Sequence, residues 1–101
     1  MDAKLATILR RLREYDPEKV ILFGSRGRGV SDRYSDYDLV IIKKTRKRFL
    51  DRIKEVIHII KPNYATDIFV YTPREFQRMI AEENPFLEHV LKEGKVIYEK
   101  P

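Results

Sequence analysis

Lys19-Val20-Ile21-Leu22-Phe23-Gly24-Ser25 and, after the ten residues from Arg26 to Ser35, Asp36-Tyr37-Asp38-Leu39-Val40-Ile41-Ile42 carry the architecture of this chain. One apolar run stops at a glycine–serine turn, and the other starts at a pair of acids. Neither run alternates apolar with polar residues. Strands of that kind lie in a sheet covered on both faces, or covered by helices on one face and by a partner on the other. Strand one is therefore read as Lys19 to Phe23 and strand two as Tyr37 to Ile42. The stretch between them could hold a short helix, so their relative direction stays open.

Before strand one, Leu5, Ile8, Leu9 and Leu12 follow helical spacing, with Arg10, Arg11 and Arg13 off that stripe. Asp16-Pro17 ends this first helix. Beyond strand two, a helix is expected from Thr45 as N-cap to about Ile60, with Phe49, Ile53, Val56, Ile57 and Ile60 as its apolar stripe. Pro62-Asn63 stops it, and strand three runs from Ala65 to Tyr71. Thr72, Pro73 and Glu75 form the pattern of a capping box, opening a helix to about Glu82. Pro85 opens a last helix that ends at Gly94, and Lys95 to Glu99 reads as an edge strand. Helices interleaved with buried strands make this an α/β or α+β sandwich.

The length of 101 residues suits one domain, taken as 1–101. Charged residues make up 37% of the chain, against the usual ~25%, and the net charge is +5. Such a charge favours an anionic partner, although an ordinary solvated surface explains it nearly as well. There is no cysteine, which excludes disulfides and thiolate metal sites and fits a cytoplasmic protein. Abundant Lys, Arg and Glu with little Asn or Gln resembles the composition of a thermophile. No apolar run is long enough to span a membrane, and Met1-Asp2-Ala3-Lys4 lacks the core of a signal peptide.

The chemistry lies in the acids and the turn. Asp36 and Asp38, at spacing two, project from one side of an extended chain. Asp67 sits early in strand three, and if strands two and three are neighbours it joins them in a three-carboxylate cluster. Like charges this close repel unless a cation is present, and hard oxygen donors suit magnesium. Two ions are expected to be shared by the three acids, and Asp67 is also placed to act as general base. Gly24 lets backbone approach a phosphate, Ser25 offers a hydroxyl, and Arg26 and Arg28 are cations for a nucleoside triphosphate. Each residue alone has a plainer explanation as a turn, a strand start or a solvated charge. Arg46, Lys47 and Arg48 read best as solvated charges, and His58 and His89 as structural. The tyrosines are scattered and form no platform for nucleic acid.

The combination resembles the minimal nucleotidyltransferases, small relatives of the DNA polymerase beta catalytic core. Gly24-Ser25, ten residues, Asp36-x-Asp38 and the later Asp67 match that pattern, and the likeness runs from strand one through the helix after Thr72. The resemblance implies a mixed sheet flanked by helices and transfer of AMP from ATP through two magnesium ions. It also implies a helical HEPN-domain protein as partner, in a type VII-like toxin–antitoxin pair. This chain would be the antitoxin and a tyrosine of the toxin the acceptor, in a homo- or hetero-oligomer. A non-catalytic antitoxin acting by complex formation is the alternative. A basic nucleic-acid-binding module is disfavoured.

Overall fold

The computed structural model describes residues 3–24, 37–62 and 65–101. Strands β1 (Lys19–Phe23) and β2 (Tyr37–Ile42) pair antiparallel, with Val20 opposite Ile41 and Phe23 opposite Asp38. Strand β3 (Thr66–Tyr71) runs parallel to β2, and β4 (Lys95–Glu99) runs antiparallel to β1. The spatial order is β3-β2-β1-β4, a mixed sheet. A parallel pair needs a long crossover, which here contains helix α2 (Phe49–Ile60). Helix α1 (Ala3–Leu12), continued by a 3-10 turn at Arg13–Tyr15, precedes the sheet. Helices α3 (Pro73–Ala81) and α4 (Pro85–Glu93) lie between β3 and β4 in the chain.

The two faces of the sheet explain the unbroken apolar runs. Val20, Leu22, Leu39, Ile41, Ile68 and Val70 face Leu5, Ile8 and Leu12 of α1 and Val56 and Ile60 of α2. Ile21, Phe23, Val40 and Ile42 face the other way, under Phe76 of α3 and Phe86 and Val90 of α4. Successive residues of β1 and β2 thus enter different cores, and every one from Leu39 to Ile42 is buried. Each such aliphatic side chain contributes about 1.5–3 kcal/mol. No helix among the described residues is long and apolar enough to cross a membrane.

The capping box at Thr72 forms as its sequence predicts: the Thr72 hydroxyl accepts from the Glu75 amide, and the Glu75 carboxylate accepts from the Thr72 amide. Helix α2 departs from expectation. It begins at Phe49, with Arg48 extended before it, rather than at Thr45. The Thr45 hydroxyl instead accepts from the Lys47 amide two residues on, closing a local turn that competes with a cap. The expected stripe is also rotated. Phe49 and Ile57 are exposed, whereas Arg52 is buried with Val56 and Ile60.

Arg52 is satisfied on every side. Its guanidinium donates to both carboxylate oxygens of Glu75, at 2.7 and 3.2 Å, and to the carbonyls of Val70 and Lys47. One side chain therefore ties α2, β3 and the cap of α3 together. Glu75 keeps about a third of its surface in water, so the pair is less costly to bury than a fully enclosed one. Its hydrogen bond from Arg52 holds the Glu75 carboxyl below the usual range.

Arg52→Ala should cost about 2–4 kcal/mol in urea unfolding, the lower end reflecting the exposure of Glu75. Because the folded state holds Glu75 deprotonated, the unfolded state binds more protons in the ordinary glutamate range. Stability should therefore fall as pH drops below that range, and Glu75→Gln should flatten this acid limb. The Tyr15 hydroxyl is buried without a hydrogen-bond partner among the described residues, and burial pushes its pKa up to about 12. Here the unfolded state loses its proton first, so stability should decline from pH ~10 upward. Tyr15→Phe should remove that alkaline limb at neutral or positive cost, measured by the melting temperature across pH.

Candidate active site

Register across three strands builds the site. Phe23 of β1, Asp38 of β2 and Asp67 of β3 are successive cross-strand partners, so they form one row on one face. The next row on that face is Ile21, Val40 and Phe69, which belong to the core under α3 and α4. Asp38 and Asp67 therefore stand side by side at the end of the sheet, on strands about 4.8 Å apart. Asp38 is half-buried and Asp67 exposed. The neighbour relation between strands two and three, on which the use of Asp67 depended, is present.

Gly24 follows directly after β1 with φ +73, where only glycine is unstrained. A Cβ at this position would overlap the carboxylate of Asp38, striking its Oδ2 and lying 3.2 Å from its Cγ. The requirement for glycine thus has a source inside the protein: it makes room for an acid. Approach of phosphate to the backbone was the reason expected from sequence. Asp36, Ser25, Arg26 and Arg28 lie outside the described residues. Among the described residues no group of three His, Cys, Asp or Glu is clustered, since Asp38 and Asp67 form a pair.

Sequence reading missed an aromatic wall behind the acids. The rings of Phe23, Phe69 and Phe86 contact one another at centroid distances of 5.0–6.1 Å. Phe23 is the partner of Asp38 itself, and Phe69 follows Asp67 by one turn of the pleat. The aromatic cluster thus occupies the core on the face that carries the acids. A signal was available: Phe23 immediately precedes Gly24, and Phe69 shares strand parity with Asp67. A cleft of about 610 Å³ lies elsewhere, lined by Lys19, Ile42, Phe76, Ile80 and Glu99. Ile42 is four residues along β2 from Asp38, about 13 Å away.

The Gly24–Asp38 packing can be tested by a double-mutant cycle. Gly24→Ala should destabilise by about 2–4 kcal/mol, from left-handed strain plus overlap. In an Asp38→Ala background only the strain remains, so the penalty should fall to about 1–2 kcal/mol in denaturant unfolding. Equal penalties in both backgrounds would show that the carboxylate is not what requires glycine.

Comparisons with known proteins bear on the family and the fold. A family model described as polymerase beta, nucleotidyltransferase, matches residues 4–101. The chain is 34% identical over 87 residues to "Putative protein adenylyltransferase MJ1305" of Methanocaldococcus jannaschii, an alignment covering 80% of this chain. It spans 58% of the length of that relative. The spectinomycin adenyltransferase AAD(9) from Enterococcus faecialis, solved with ATP and spectinomycin, superposes with TM-score 0.68 at 14% identity. That match covers 97% of this chain and 56% of the enzyme. A toxin–antitoxin structure with AMP-PNP gives 0.58 at 16% identity, covering 98% of this chain and 75% of that one. At such identities the structural likeness concerns the fold: a mixed sheet flanked by helices, as in the polymerase beta superfamily. With almost its whole length matched, this chain belongs to the polymerase beta nucleotidyltransferase family.

Proposed function

We propose that this chain is a magnesium-dependent nucleotidyltransferase that moves AMP from ATP to a hydroxyl of a protein partner. The partner is a HEPN-domain toxin, the acceptor a tyrosine, and the chain the antitoxin of a type VII-like pair in the cytoplasm. Residues 1–101 act as one nucleotidyltransferase domain. The observation carrying this reading is the side-by-side placement of Asp38 and Asp67 next to Gly24. Support also comes from the relative named as a protein adenylyltransferase, and from neighbours solved with ATP, or with AMP-PNP in a toxin–antitoxin structure.

The donor set fits the metal. Two carboxylates abreast repel each other, and all their donor atoms are hard oxygens. Asp36, Asp38 and Asp67 would hold two magnesium ions, which when bound polarise the α-phosphate and neutralise the departing pyrophosphate. Gly24, Ser25, Arg26 and Arg28 hold the triphosphate in place. The acceptor oxygen forms a bond to the α-phosphorus as the bond from that phosphorus to the bridging oxygen breaks. Pyrophosphate leaves with the electron pair, and Asp67 takes the hydroxyl proton.

Incubation of the partner with α-labelled ATP and magnesium should label it, and chelation should abolish the label. Asp38→Asn should reduce labelling by at least about a hundredfold. Full neutralisation of the toxin by Asp38→Asn, with no label transferred by either protein, would make the chain a binding antitoxin instead.

A further inference from the structure

Helix α2 buries Arg52, Val56 and Ile60 against the sheet. On its outer side, Leu50, Lys54, Ile57 and Lys61 follow at i, i+4, i+7 and i+11, a single stripe along the helix and its C-cap. Leu50 is 68% exposed and Ile57 43%, although both are large and apolar. Lys54 and Lys61 are exposed beside them. The segment entering the helix adds Lys44, Arg46 and Arg48, all exposed.

These five cations have no ion-pair partner among the described residues, whereas two others of the same run do have internal work. Lys43 donates to the carbonyls of Tyr15 and Asp16, and Lys47 pairs with Glu55 at 2.6 Å. The nearest exposed acid, Asp51, lies about 100° around the helix from Leu50. The stripe therefore combines unmatched positive charge with two apolar anchors about 10.5 Å apart along the axis.

We propose that this stripe docks an acidic amphipathic helix of a protein partner. Leucine-type residues at i and i+7 of such a helix cover Leu50 and Ile57, and intervening Asp or Glu meet Lys54, Lys61, Arg46 and Arg48. Nucleic acid would use the cations but gain little from the apolar pair. Helix α2 packs on the sheet face opposite the one bearing Asp38 and Asp67. A partner seated here leaves the acids open, so docking and chemistry occupy separate surfaces. The inference stands on the surface alone and does not require the proposed reaction.

The probe is a labelled synthetic three-heptad peptide with leucine at i and i+7 and glutamate between, titrated by fluorescence anisotropy. A scrambled peptide of identical composition and a short single-stranded RNA are the competitors. The amphipathic peptide should bind at least about tenfold tighter than the scrambled one. Leu50→Glu/Ile57→Glu should remove that preference while circular dichroism and ATP uptake stay unchanged. Lys54→Glu/Lys61→Glu, at exposed positions, provides the same test should the first variant unfold. Equal binding of both peptides, no binding, or RNA binding that survives Leu50→Glu/Ile57→Glu would overturn the proposal. So would concentration-dependent self-association of the chain that the same variant abolishes, because a second copy would then cover the stripe.

Discussion

The β2–β3 ladder does two jobs that pull against each other. Its register packs Leu39, Ile41, Ile68 and Val70 into one core, and the same register sets Asp38 directly beside Asp67. A slip of one residue would turn every side chain of the strand to the opposite face, so burial of the apolar residues fixes which face carries the acids. The hydrophobic core thus holds two like charges abreast that would separate if free. Burial of several aliphatic side chains at about 1.5–3 kcal/mol each outweighs that repulsion. The closeness of the two carboxylates is in this sense a consequence of how the sheet packs.

Around that ladder, small details protect the geometry. Gly24 leaves room for the Asp38 carboxylate where any side chain would push it away. Phe23, Phe69 and Phe86 close the core directly behind the acids. Arg52 fastens α2 to the carbonyl of Val70 and to Glu75 at the start of α3, so the edge strand that carries Asp67 is anchored from both directions. The anchor and the acid lie on the same short strand, three residues apart.

Local rules made much of this fold legible before any coordinates. The capping box at Thr72, the proline-initiated helix at Pro85 and the stop at Gly94 all act within one helical turn, so their partners lie within reach of sequence inspection. The unbroken runs Val20–Phe23 and Leu39–Ile42 announced a doubly covered sheet. Helix α2 was less legible because its apolar residues outnumber the positions the sheet can cover. Periodicity alone placed Phe49 and Ile57 on the apolar stripe, yet both are exposed and Arg52, outside that stripe, is buried. Its burial depends on Glu75, which no helical spacing connects to it, and a charged side chain goes inside only when such a partner meets it there.

By itself the sequence determined the strands, their apolar faces, the caps, and the residue types able to bind a metal nucleotide. Those properties are local, arising from backbone preferences and from side-chain periods of two and 3.6. Tertiary structure alone decided that β1 and β2 run antiparallel, that β3 lies beside β2, and that Gly24 serves Asp38. Such facts depend on contacts between segments far apart in the chain, whose free energies are comparable for several topologies until whole cores are packed. Composition and spacing can nominate Asp67; only the packed sheet brings it level with Asp38.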